Sequence, residues 1–279
     1  MTATHQPLTF PITITWPILP DDFILPDDPR ENTEHPLLAN ALRQALTLEL
    51  SKDALITTNF VLCAGINNRI IVKAPDWMYV RPVDPWPHPY PRRSYTPHTE
   101  GPIPLIVMEF LSENYGEEYS MEFQSRVGKW YFYEQVVKVP IYVIFQPETA
   151  RLEVYALKSQ GYEIQTPSSA GRYWIPGLEL LLGIWWGTGN NRTGNWLRWW
   201  NSAGEMLPWP EEVAATDRER AETERLRAEQ LAQQAETERQ RAQTERQRAD
   251  AERQRAEAER LRAAQLEQRL RELGVDPDR

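Results

Sequence analysis

Hydrophobic and polar positions divide the chain into short apolar runs followed by one long polar stretch. "HPLLANALRQALTLEL" (35–50) repeats apolar residues at helical spacing and predicts a helix. "ALITTNFVL" (54–62) and "NRIIVKAPDWMYV" (68–80) predict strands, and "IPLIVMEFLS" (103–112) is dense enough in Ile, Leu and Val for a buried strand. "RVGKWYFYEQVVK" (126–138) predicts a helix. "VPIYVIFQP" and "RLEVYALKSQGYEIQ" predict strands joined by a turn at "PETA". Strands and helices interleave, so the class is α/β, with a central sheet and helices packed against it.

The pattern changes near "LPWPEEVAATDRER". Aromatic residues vanish beyond it, and Ala, Glu, Arg and Gln dominate. Two regions follow: a domain over 1–210 and a long charged helix over 211–279. The tail repeats every seven residues, with Ala221, Ala228, Ala235, Ala242, Ala249, Ala256 and Ala263 in one register and Leu270 continuing it. Glu222 and Arg225, then Glu224 and Arg227, form i,i+3 pairs. Gly274 and Pro277 supply a stop signal. From Glu219 to Leu273 such a helix would be roughly 80 Å long. A coiled coil needs large apolar residues at both seam positions. Here Ala fills one, and Glu238, Glu245, Glu252 and Glu259 recur at the other, with only Leu231, Leu266 and Leu273 to improve it. A coiled coil and a solvated single helix both remain open, and any homo-oligomer through this helix is expected to be weak.

Charge alters this picture in one respect. The net charge is −9 over 279 residues, and the tail from 213 onward carries 15 Arg against 16 acidic residues, so nearly all the excess lies in the first region. That argues against a general basic coat for nucleic acid, while leaving room for a local basic groove. The single cysteine, Cys63, excludes an intramolecular disulfide and a cysteine zinc cluster. His5, His35, His88 and His98 have no zinc spacing. The N-terminal residues lack a secretion pattern, and no apolar run is long enough to span a bilayer. A soluble, cytoplasmic protein is expected.

The candidate chemistry starts from "VMEFLSENYGEEYS". Glu109 interrupts an apolar strand, where a carboxylate is costly unless paired. Asp76 follows Pro75 within another strand segment. Adjacent strands projecting these two carboxylates to one side would make a hard-oxygen site suited to Mg²⁺ or Mn²⁺. The plainer alternatives are an Asx turn at Asp76 and an ion pair at Glu109. "GIWWGTGNNRTGNWLRWW" reads as a hairpin whose tryptophans pack on the sheet, and it holds no P-loop lysine in register.

In order and spacing, "APDWMYV", "RRSYTPHTEGPIPLIVMEFLS", "GKWYFYEQVVKVPIYVIFQP", "RLEVYALKSQGYEI" and "PGLELLLGIWWG" resemble the Uma-type restriction endonuclease family of the PD-(D/E)XK superfamily, as does the tail. The resemblance runs from about Leu55 to the end. It implies a restriction-endonuclease-like mixed sheet flanked by helices and metal-assisted hydrolysis of a phosphodiester, with nucleic acid, DNA first, as the partner. Pro75–Asp76 matches the motif that supplies one metal ligand, and Glu109 matches the second. The carbonyl of Phe110 would complete the shell. The superfamily lysine position holds Leu111, and the Uma-type pattern places its lysine instead at Lys129, with Tyr133 one turn further. A family aspartate after the next strand is Gln146 here. Arg92 and Arg93 could meet a phosphate backbone or remain solvated loop residues. The departures at Leu111 and Gln146 keep a second class in view: a catalytically degenerate nuclease fold serving as a scaffold or interaction module.

Overall fold

The apolar runs become strands, and the need to cover them on two faces sets the layers. The computed structural model describes residues 12–18, 33–111, 118–122 and 127–272. His5, Leu273 and the Gly274–Pro277 stop signal lie outside them. Contacts divide the chain into two units, Met1–Glu211 and Glu212–Arg279. The first opens with β1 (Ile14–Thr15), α1 (Glu34–Gln44) and α2 (Leu48–Ser51). Then come β2 (Leu55–Thr57), β3 (Val61–Ile66), β4 (Arg69–Lys73), β5 (Trp77–Val80), β6 (Ser94–Tyr95) and β7 (Ile106–Phe110). The short α3 (Lys129–Tyr131) continues as a π-helical turn, Phe132–Val137. β8 (Ile141–Gln146), β9 (Arg151–Lys158), β10 (Gly161–Ile164), β11 (Tyr173–Ile175), β12 (Leu180–Gly189) and β13 (Arg192–Trp200) complete it.

The principal sheet has the order β10-β9-β8-β7-β5-β2. β7 and β8 are parallel, and the other neighbours are antiparallel. Parallel pairing requires a crossover, which carries α3 and its π-helical extension. Every residue of β7 and β8 is buried, as expected for central strands covered on both faces. Ile106, Met108 and Phe110 enter one core with α1 and the β12–β13 hairpin. Val107 and Leu111 enter the other with Phe132, Tyr133, Val136 and the small sheet built on β3. Glu109 belongs to this second face by strand alternation. Trp196 and Trp199 are buried in the first core. Trp199 and Trp209 donate their indole N–H groups to the carbonyls of Leu42 and Ala41, in the last turn of α1.

Three elements depart from the sequence expectation. The first strand breaks at Thr58–Phe60, where Asn59 has a positive φ of 45°. The second breaks at Ala74–Asp76, because Pro75 has no N–H to donate, and the chain moves there from the small sheet into the principal one. Asp76 therefore precedes β5 and is not a strand residue. The third is the helix expected over 126–138: among the described residues it runs from Lys129 and is π-helical over Phe132–Val137, and π turns recur at functional sites.

The second unit is occupied by α4 (Pro210–Glu272), 63 residues long, or about 95 Å at 1.5 Å per residue. It begins nine residues before Glu219 because Pro210 suits the first helical position and Glu211 and Glu212 suit the first turn. None of its described side chains is buried, and Leu231 and Leu266 are 58% and 62% exposed. Arg225 pairs with Glu222 at 2.9 Å and with Glu229 at 3.7 Å. Alanine buries little apolar area at a seam. Sedimentation of the full chain and of a chain ending at Pro210 should show both as monomers at micromolar concentration. A tight oligomer lost on truncation would show that the alanine register joins chains.

Candidate active site

Pro75 ends one strand and frees the chain to turn, and the Asp76 side chain takes over where the backbone ladder stops. Trp77 pairs with Met108 across β5 and β7, so the next positions outward are Asp76 and Glu109. Asp76 Oδ2 accepts the N–H of Phe110 at 2.6 Å. Its other oxygen lies 3.5 Å from His35 Nδ1, in the first turn of α1. His35 shares the buried face of α1 with Leu38 and Leu42, and its ring meets Phe110 edge-on. The helix end is anchored by a two-pronged ion pair, Arg192 Nε and Nη2 to the Glu34 carboxylate at 3.0 and 3.1 Å.

Glu109 is wholly buried. Its Oε2 accepts from Lys129 Nζ at 2.8 Å, and its Oε1 from the Tyr133 hydroxyl at 2.8 Å. Lys129 also lies 3.6 Å from Glu118 Oε1. Burial pushes the Glu109 carboxyl up to about 8; Lys129 pulls it down, and Asp76 adds to the rise. For Lys129, burial works against the charge, but the carboxylates of Glu109, Asp76 and Glu118 outweigh it and hold the ammonium above its ordinary range. Tyr133 is pushed well above the ordinary phenol by burial and by Glu109, so it stays a donor. Lys129 and Tyr133 therefore both stay donors to Glu109.

Lys129 is placed by a close backbone approach. A Cβ on Gly128 would overlap the Ser120 carbonyl. The N–H of Gly128 binds the carbonyl of Glu122 at 2.8 Å, and Tyr142 donates its hydroxyl to the Glu118 carbonyl at 3.0 Å. Gly128→Ala should destabilise the fold by about 1–3 kcal/mol through overpacking. A thermal melt of this variant beside the parent checks it.

The structure thus brings Asp76, Glu109 and Lys129 together, and adds His35 and Glu118, which sequence reasoning passed over. For His35 the available signal was a polar residue on the apolar face of a predicted helix. Glu118 carried none. Leu111 is buried among the apolar residues of the second core and offers no substitute lysine. Gln146 accepts from the Thr149 hydroxyl at 2.9 Å. Arg92 is neither solvated nor aimed at the site. It pairs with Glu100 at 3.6 Å, lies over the Trp86 ring, and belongs to the loop leaving β5 at the end opposite Asp76.

Two carboxylates on neighbouring segments, one of them fully buried, are suitable donors for a hard divalent ion that keeps several waters. Among the described residues no three Asp, Glu, His or Cys are grouped to hold an ion, so a main-chain carbonyl and water would have to complete a shell.

The mixed sheet with its β7–α3–β8 crossover and flanking helices is of the restriction-endonuclease-like class. The chain belongs to the Uma2 family, described as "Putative restriction endonuclease", which matches residues 20–189. No curated protein matches it. Among the described residues no helix is long and apolar enough to cross a membrane.

Proposed function

We propose that this protein is a metal-dependent nuclease hydrolysing phosphodiester bonds in nucleic acid, DNA in the first place. The observation that carries the reading is the convergence of two carboxylates and one ammonium, Asp76, Glu109 and Lys129, beside the crossover between β7 and β8. Asp76 and Glu109 would hold Mg²⁺ or Mn²⁺, with the Phe110 carbonyl and water completing the shell. An ion there lowers the pKa of a bound water and offsets charge on the phosphate oxygens. Tyr133 fixes the orientation of Glu109 through its hydroxyl. Lys129 supplies a positive charge for the developing phosphate charge or orients the attacking water. A cytoplasmic setting suits the buried free thiol of Cys63.

The test is cleavage of single- and double-stranded DNA and RNA by the full chain with Mg²⁺ or Mn²⁺. Lys129→Met should reduce cleavage by about 10²-fold, the usual scale for one electrostatic donor, while leaving ion binding in place. If the parent binds no ion and cleaves none of these substrates, the degenerate scaffold takes precedence. Leu111 and Gln146 are the residues that favour that second reading.

A further inference from the structure

Both oxygens of Glu109 are engaged, Oε2 by Lys129 and Oε1 by Tyr133. An ion on Glu109 must share these oxygens with the two donors, and its charge repels the ammonium beside it. Tyr133 is fully buried, whereas Lys129 carries its charge on a flexible four-carbon stem. The ammonium already has a second carboxylate within reach, Glu118 at 3.6 Å, with side-chain exposure of 14% against 0% for Glu109. The backbone around Glu118 is held in place. Tyr142 binds its carbonyl, Tyr131 N–H binds the Ser120 carbonyl at 3.3 Å, and Gly128 N–H binds that of Glu122. The carboxyl groups of Asp76, Glu109 and Glu118 thus all face this one ammonium.

We propose that Glu118 is a positioning residue, the second seat for the Lys129 ammonium when a divalent ion occupies Glu109. In this arrangement Lys129 is a built-in counter-ion that yields its place at Glu109. Glu118 keeps it at the more exposed edge of the site, where a phosphate can meet it. The inference rests on the metal-dependent reading above. It differs from a role for Glu118 as a direct ligand or a diffuse negative charge, because Glu118 acts through Lys129.

Calorimetric titration of the full chain with Mn²⁺ alone separates these cases. Six proteins are compared: the parent, Glu118→Gln, Lys129→Met, Lys129→Gln and the two double variants. Glu118→Gln should weaken Mn²⁺ binding about 10- to 100-fold in the parent, the scale of lost outer-shell partners. In either Lys129 background the same substitution should change the affinity by no more than about twofold, within ordinary additivity. An unchanged affinity in Glu118→Gln overturns the proposal and leaves the metal reading standing. So does an equal loss with and without Lys129. A parent that takes up no Mn²⁺ overturns the metal reading itself, and this inference with it.

Discussion

Asp76→Asn and Glu109→Gln should each lower metal-dependent cleavage by about 10³-fold or more. That corresponds to roughly 4 kcal/mol of transition-state stabilisation, within the several kcal/mol an ion supplies to phosphoryl charge. Both substitutions keep side-chain volume, and both keep an oxygen acceptor. The amide oxygen of Asn at 76 can still take the Phe110 N–H, so the end of the ladder survives. The amide of Gln at 109 can still receive the Tyr133 hydroxyl. What each removes is the negative charge a cation needs. Asp76→Ala is different, because it strands a backbone donor and should also cost about 1–3 kcal/mol of fold stability. Cleavage, Mn²⁺ titration and melting, measured on the same preparations, separate loss of chemistry from loss of folding. Unchanged cleavage in both amide variants would show that the active site lies elsewhere.

The second large effect is a pH dependence. In chelator, the parent should lose stability relative to Glu109→Gln as the pH rises from about 4.5 to about 8. Burial raises the Glu109 pKa, so over this window the native state holds a proton that the unfolded chain has released. Fewer protons on the unfolded chain mean that stability falls with rising pH, and the contribution is complete only below the unfolded value. At about 1.4 kcal/mol per unit, the full window is on the order of 5 kcal/mol. Lys129, held above its ordinary range, does not titrate there. Glu100, also raised by burial, and Glu153, whose hydrogen bonds from Tyr119, Arg151 and Tyr155 lower it despite its own burial, are common to both proteins and cancel in the difference. Melting temperatures at pH 5 and pH 8.5 provide the measurement. Mn²⁺ should restore more stability at pH 8.5, because the ion competes with the proton for Glu109. Parallel pH profiles for the parent and Glu109→Gln would show that Glu109 keeps an ordinary carboxylate pKa.

The tail shows how far pattern alone reaches. Its helix could be read from composition and period because i,i+3 and i,i+4 pairs are local, and Glu222, Arg225 and Glu229 need nothing from the rest of the chain. Its start was placed at Glu219, through overlooking Pro210 at the first helical position, and its expected end lies outside the described residues. The hairpin turn at Asn190–Asn191 was equally local, since paired asparagines tolerate positive φ, whereas the one at Asn67–Asn68 went unread because Asn68 was counted into the following strand. The π-helical turn was not readable, because the pattern of apolar residues in "WYFYEQVV" serves an α-helix as well.

By itself, the sequence determined the α/β class, the buried strands β7 and β8, the family and the anomaly of a carboxylate at Glu109. These depend on alternation, apolar density and the order of motifs along the chain. Tertiary structure alone decided what Glu109 faces. Lys129 and Tyr133 reach it across the crossover, Asp76 is turned to it by the break at Pro75, and His35, which meets Asp76, comes from a helix fixed by Arg192. The hydrogen-bond ladder and the closing of two cores bring these groups together from positions up to 98 residues apart, between His35 and Tyr133. No local preference encodes such a meeting, because the free energy that enforces it comes from burying the two faces of the sheet.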